Sequence, residues 1–299
     1  MAGRRLRPPP AYVVVVSPTG LLAALLHVVL TVTGVPVPVA DAGARVAAPP
    51  SVDGTQPAAA TGFGSVPPAW LGTRLLPDDP STGYGEVRPT PPVLRHRRWT
   101  LPDDVRMLPG RGYASRVVAP APRHVIRRST WEAGCPVAPA DLAWVRLVFW
   151  GFDGLRHTGE LLVHRTAADD IVQVFRVLYR IRFPQEQVGI VRDFDPDAPS
   201  TGDGNGTGAF VCRASTGASY FSQHAYGLAL DVNSFQNPYA KESVVLPELA
   251  SAYLDRSRVR AGMITADGPV VRAFARIGWQ WGGAWRWSKD YMHFSRNGL

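Results

Sequence analysis

In the stretch "SQHAYGLALDVN", residues 222–233, a histidine and an aspartate lie seven positions apart in what otherwise reads as an apolar strand. An unpaired carboxylate among apolar neighbours costs several kcal/mol, so Asp231 needs a partner. Period-two alternation puts Leu228, Leu230 and Val232 on one face and Ala229, Asp231 and Asn233 on the other. Gly227 permits a sharp bend before the strand, which lets His224 fold back toward the Asp231 face. A second histidine, His293, sits in "KDYMHF" three residues after Asp290, on what reads as a second edge strand. His224, Asp231 and His293 together offer two imidazoles and one carboxylate, an N/O set suited to zinc with a fourth position left for water. Taken singly, each has an ordinary reading: a hydrogen-bonded histidine, a turn-capping Asp231, a solvated Asp290. Only the combination points to metal chemistry.

The elements that must position these residues lie mostly after Ser129. "WVRLVFWGF" (144–152) and "GELLVH" (159–164) are short strands separated by the turn signal "DGLRHTG". Thr166 with Asp169 resembles a capping box and opens a helix with Ile171, Val174, Leu178 and Ile181 on one face, ending before Pro184. "QVGIV" suggests a further strand. The Gly-rich loop "STGDGNGTGAF" (200–210) is no phosphate cradle, because a strand rather than Lys-Ser/Thr and a helix is expected after it. "VVRAFARI" (270–277) has helix start and stop signals in Asp267-Gly268-Pro269 and Gly278, and "WQWGGAWRW" and "DYMHFS" read as closing strands. The indoles of Trp279, Trp281, Trp285 and Trp287 fit either a groove or the core around those strands; His157 and His164 receive no role. Few helices and several short antiparallel strands give an α+β domain, a small antiparallel sheet with flanking helices, over 129–299.

The formal charge of +8 is uneven. Residues 129–299 carry 17 groups of each sign, whereas 43–128 carry twelve Arg against six acids. Without aromatic-basic interleaving or a reader motif, this surplus does not imply nucleic-acid binding. Residues 1–42 read as a targeting segment: Arg4, Arg5 and Arg7, an apolar run, then "ADA". It is either a signal peptide removed after Ala42 or an uncleaved anchor, the only route to a membrane; both place the rest of the chain outside the cytoplasm. Residues 43–68 are an Ala/Pro/Gly-rich flexible tether, and 69–128 a Pro/Arg-rich extension without periodicity, whose folding stays open. Two cysteines, Cys135 and Cys212, fit one disulfide in an exported chain, two free thiols being the alternative.

The pattern Ser222-x-His224-x-x-Gly227-x-Ala229-x-Asp231, followed downstream by Asp290-x-x-His293, resembles the zinc D-alanyl-D-alanine carboxypeptidases and dipeptidases of the vancomycin-resistance type. These are related to L-alanyl-D-glutamate endolysins and hedgehog-fold domains. The likeness extends to "HTGELLVH" (157–164), "RFP" (182–184), "FVCR" (210–213) and "NPY" (237–239), most of 129–299. The resemblance implies a hedgehog-like zinc fold and a peptidase acting on peptidoglycan stem peptides, most simply removing terminal D-Ala. An endopeptidase cutting L-Ala-D-Glu or a crosslink, or a non-catalytic wall-binding zinc domain, are the alternatives. It implies Zn2+ on His224, Asp231 and His293, with Asp290 as general base. Arg213 would hold the scissile carbonyl or a substrate carboxylate. Ser222 either orients substrate or closes a turn, and a Cys135–Cys212 bond would restrain Arg213.

Overall fold

The runs "WVRLVFWGF" and "GELLVH" pair as a long antiparallel hairpin. In the computed structural model, which describes residues 67–192, 198–215 and 218–299, the order opens with β1 (Asp78–Asp79), β2 (Tyr84–Gly85), β3 (Ser115–Val118) and the single turn α1 (Arg123–Ile126). It continues through β4 (Leu142–Gly151), β5 (Arg156–His164), α2 (Ala168–Arg180) and β6 (Pro184–Gln185). The second half holds β7 (Ala229–Asp231), β8 (Tyr239–Lys241), β9 (Val244–Leu246), α3 (Pro269–Arg276), β10 (Gln280–Trp281), β11 (Lys289–Asp290) and β12 (His293–Ser295). The targeting segment and nearly all of the tether lie outside the described residues. Among the described residues no helix is long and apolar enough to cross a membrane.

The long hairpin β4–β5 is the scaffold, with β3 antiparallel on β4 and β6 parallel to its end. One face presents Val145, Leu147, Phe149, Leu161 and Val163 to the stripe Ile171, Val174, Phe175 and Leu178 of α2. Each such side chain, fully buried, contributes roughly 1.5–3 kcal/mol. Ile181 lies past the helix and is partly exposed. The expected capping box does not form. Thr166 instead donates its hydroxyl (2.8 Å) and its amide (3.3 Å) to His164 Nδ1 in a 3₁₀ turn, and α2 starts without a side-chain cap. Asp169 and Asp170 in its first turn still complement the helix dipole.

Two three-stranded antiparallel sheets carry the chemistry-bearing segments, in the orders β10-β12-β7 and β11-β8-β9. The expected edge position of His293 is corrected: β12 is the central strand of its sheet. "DYMHFS" is also not one strand. It breaks at Tyr291-Met292, placing Asp290 in one sheet and His293 in the other. "WQWGGAWRW" pairs only through Gln280–Trp281 before a 3₁₀ turn at Gly282–Ala284. "QVGIV" and the segment after the Gly-rich loop form no strands but isolated bridges, Val188 to Thr207, Gly208 to Asp231 and Ala214 to Phe221. Their apolar residues are buried by packing beside the sheets, which needs no ladder.

The described part of the extension is built into this core. Leu76, Leu94 and Trp99 are buried with Phe235, Leu249 and Tyr253. Arg97 holds Glu186 in a buried two-bond pair (2.6 and 2.7 Å), and β3 lies in the β4–β5 sheet.

Candidate active site

His224 is placed by a turn and a strand edge. Ser222 caps the 3₁₀ turn Gln223–Tyr226, its Oγ accepting from the His224 amide at 3.3 Å, and Gly227 ends the turn at φ +67°. The Gly227 carbonyl accepts from His164 N at 2.9 Å, so the turn docks on β5. A Cβ at residue 227 would lie 2.4 Å from His164 N and 2.9 Å from Val163 C. The motif glycine is thus required both by its left-handed backbone and by this close approach. Asp231 and His293 are placed by register, facing each other across β7 and β12. Gly282 lets the following turn lie against them: a Cβ there would meet Asp290 Cβ and its carbonyl at 2.8 Å.

These placements bring three donor atoms together. His224 Nε2 lies 3.2 Å from His293 Nδ1 and 3.2 Å from Asp231 Oδ2, and His293 Nδ1 lies 3.0 Å from Asp231 Oδ1. The opposite ring nitrogens fix the tautomers. His224 Nδ1–H donates to the Ala209 carbonyl (2.5 Å) and His293 Nε2–H to the Leu299 main-chain oxygen (3.1 Å), both of which can only accept. Each imidazole therefore turns a lone pair inward, the outer-shell arrangement typical of metal-binding histidines. Three lone-pair donors this close repel unless a positive charge, a proton or a metal ion, sits among them. Burial alone would raise the Asp231 carboxyl, but the two imidazoles outweigh it and hold Asp231 well below the usual carboxylate range. Burial likewise opposes a charged His293, yet the Asp231 carboxylate prevails and its pKa is raised. Ligands about 2.0–2.1 Å from a tetrahedral zinc stand roughly 3.3 Å apart, and the three pairs here are separated by 3.0 to 3.2 Å. The residues present fit zinc.

The cluster opens into a cleft of about 650 Å³, lined among others by Arg213, Ser222, Tyr239, Leu246, Trp285 and Asp290. Burial, with the Asp231 charge adding to it and His293 and Arg213 opposing, pushes the Asp290 carboxyl up to about 7. Its Oδ1 is buried and has no hydrogen-bond partner among the described residues, so a ligand of the cleft is its available partner. Arg213, whose charge reaches Asp290, is tied at both sides: its carbonyl accepts from Ser222 N at 3.1 Å, and Cys212 is joined to Cys135. The disulfide is present with Cα atoms 5.8 Å apart.

All six chemistry-bearing residues read from the sequence, Ser222, His224, Asp231, Arg213, Asp290 and His293, line this one cleft. The four indoles divide: Trp279 and Trp281 are core, Trp285 faces the cleft, and Trp287 is 81% exposed. His157 and His164 lie outside the cleft lining. Sequence reasoning missed Tyr239, noted only within "NPY", and Asn237. The buried Asn237 side chain bonds the main chain of Val232, Asn233, Gly262 and Ile264, fixing the loop after β7. In "NSFQNPY" it stands among other polar residues, so no pattern of the sequence singles it out.

Residues 216–296 match a family model described as D-alanyl-D-alanine carboxypeptidase, which bears out the resemblance carried by the two motifs. No curated protein and no solved structure matches the chain.

Proposed function

We propose that the chain is an exported zinc-dependent peptidase of peptidoglycan stem peptides, acting as a D-alanyl-D-alanine carboxypeptidase. The observation that carries this reading is the juxtaposition, in one cleft, of an inward-facing His224/Asp231/His293 donor set with an Asp290 Oδ1 that has no partner among the described residues. The family match supports the peptidase class, and the disulfide supports an extracytoplasmic site of action. The hedgehog-like zinc fold belongs to the same reading.

Held by His224, Asp231 and His293, zinc supplies Lewis acidity and lowers the pKa of water toward about 7. Asp290 accepts the proton of the attacking water at its free oxygen and delivers it to the leaving amine nitrogen. Burial makes it more basic than an ordinary carboxylate, which suits a proton acceptor. Arg213 offers a permanent forked cation to the C-terminal carboxylate of the substrate, anchoring the end from which D-Ala leaves. Ser222 acts through its cap, holding the turn that aims His224.

The test is mass spectrometry of products from the zinc-loaded full chain and purified pentapeptide muropeptides, with Asp290→Ala in parallel. The expected result is loss of one alanine by the wild type, with turnover by the variant lower by about a hundredfold or more. Internal cleavage would move the assignment to an endopeptidase, and zinc-loaded wild type without any product would leave a wall-binding domain.

A further inference from the structure

We propose that Tyr239 is a catalytic hydrogen-bond donor of this site, its phenol meeting the carbonyl oxygen of the scissile peptide bond; the inference rests on the peptidase reading above. It comes from the register of the second three-stranded sheet. Tyr239 on the central strand β8 faces Asp290 on β11 and Leu246 on β9. Residues directly opposite in antiparallel strands project from the same face of the sheet. All three line the cleft. The sheet therefore presents a row, carboxylate, phenol and aliphatic side chain, with neighbours about 5 Å apart across the strands.

A row of this kind places a donor one strand away from the group that handles the proton. When water adds to the carbonyl carbon, the π electron pair moves onto the carbonyl oxygen, and the developing negative charge calls for a preorganised donor beside the Lewis acid that His224, Asp231 and His293 would hold. Asp290 cannot serve, because it is an acceptor while it acts as base. The outer N–H groups of His224 and His293 are committed to main-chain oxygens, and Arg213 is assigned to the terminal carboxylate. Tyr239 keeps its proton: burial first, then the Asp290 charge, raise the phenol above its ordinary value, with Ser288 within hydrogen-bonding reach opposing the shift. The phenol makes no hydrogen bond to Asp290 Oδ1, which has no partner among the described residues. The step stays balanced without proton transfer from tyrosine. The water proton passes to Asp290 and on to the amine, while the phenol only donates a hydrogen bond to the oxygen that gains and then returns the electron pair.

The experiment compares Tyr239→Phe with wild type and with Tyr84→Phe, a tyrosine near Tyr239 that does not line the cleft. Each is the zinc-loaded full chain acting on a stem pentapeptide. Expected for Tyr239→Phe is a fall in kcat of about a hundredfold, with KM, zinc content and melting temperature as in wild type, and Tyr84→Phe unchanged. Independently of turnover, a phosphinate dipeptide, whose tetrahedral oxygens mimic the intermediate, should bind Tyr239→Phe weaker by a similar factor. The D-Ala-terminated product peptide should bind both proteins equally. An active wild type with Tyr239→Phe equally active and equally tight for the phosphinate overturns the role of Tyr239 alone. Parallel loss of zinc or stability in Tyr239→Phe would also overturn it, showing a structural role. A zinc-loaded wild type that neither cleaves the peptide nor binds the phosphinate overturns the peptidase reading itself.

Discussion

Replacing Gly227 with alanine tests whether the motif glycine positions His224 by backbone geometry. Two effects are predicted, and two other glycines separate them. At Gly204 the backbone is not left-handed and a Cβ meets nothing within 4 Å, so Gly204→Ala should be neutral or stabilising by up to about 1 kcal/mol through the unfolded chain. At Gly278 φ is +76° but the space is again open. Gly278→Ala should therefore show the left-handed cost alone, roughly 1–2 kcal/mol, less that unfolded-state gain. At Gly227 the same strain at φ +67° is joined by overlap with His164 N and Val163 C. These are main-chain atoms of a strand paired along its length with β4, so they cannot swing aside as a side chain would. Overpacking of this kind adds about 1–3 kcal/mol. Urea unfolding of the metal-free proteins should rank them Gly204→Ala, Gly278→Ala, Gly227→Ala in decreasing stability. Zinc affinity, read by competition with a chromogenic chelator, should fall only for Gly227→Ala, because His224 moves with the turn. If Gly227→Ala matches Gly278→Ala within about 0.5 kcal/mol and binds zinc as wild type, the docking of this turn on β5 does not position the ligand.

Two further outcomes are expected. His157 is bonded to Asp103 (2.9 Å) and Asp153 (3.0 Å); the Asp103 hydrogen bond, opposed by burial and helped by Asp153, raises its pKa. Its folded pKa exceeds the unfolded value of about 6.5, so the stabilisation is complete below that pH and is lost as pH rises through the folded pKa. Melting temperature followed from pH 5.5 upward should decline over that window in wild type and decline less in His157→Gln; identical curves would remove His157 as the cause. For the disulfide, the double variant Cys135→Ala/Cys212→Ala opens a crosslink with a sequence separation of 77, worth about 4.5 kcal/mol in the chain-entropy model. Denaturant unfolding should show a loss of that order, and a loss below about 1 kcal/mol would mean that the unfolded chain gains little freedom there.

What could be read from the sequence was local chemistry. Residue types at short spacing revealed His224, Asp231 and His293, because metal ligation constrains type as well as position. Gly227 was legible as a bend, and the helix carrying Val270 and Phe274 by its bounding Pro269 and Gly278. Properties that depend on pairing between distant segments were not legible. The row Leu246, Tyr239, Asp290 exists only once three strands are in register. The Arg97–Glu186 pair joins residues 89 positions apart and has no periodic signature. "QVGIV" shows the reverse failure: its apolar residues satisfy the strand pattern, yet Val188 packs on Gly159, where a Cβ would lie 2.4 Å from its side chain, and Ile190 is buried with Leu162 and Phe210. Close packing against a glycine there takes the place of a ladder.

The acid-x-x-His spacing acquires a physical meaning from the break at Tyr291-Met292. Both residues of the break are held by main-chain bonds: Tyr291 N donates to the Pro238 carbonyl at 3.3 Å, and its own carbonyl accepts from Trp281 Nε1 at 2.9 Å. The Met292 carbonyl accepts from Val232 N at 3.0 Å, next to Asp231. Two residues are thus the length of chain that crosses from the sheet bearing Asp290 to the sheet bearing His293. A single continuous strand would set side chains three apart on opposite faces; the crossing turns both into one cleft. The distance between the group that handles the proton and the ligand set is therefore fixed by hydrogen bonds to the main chain of the break, two from backbone groups and one from the Trp281 indole. Substitutions of Tyr291 or Met292 that keep those bonds should disturb the geometry less than any insertion between them.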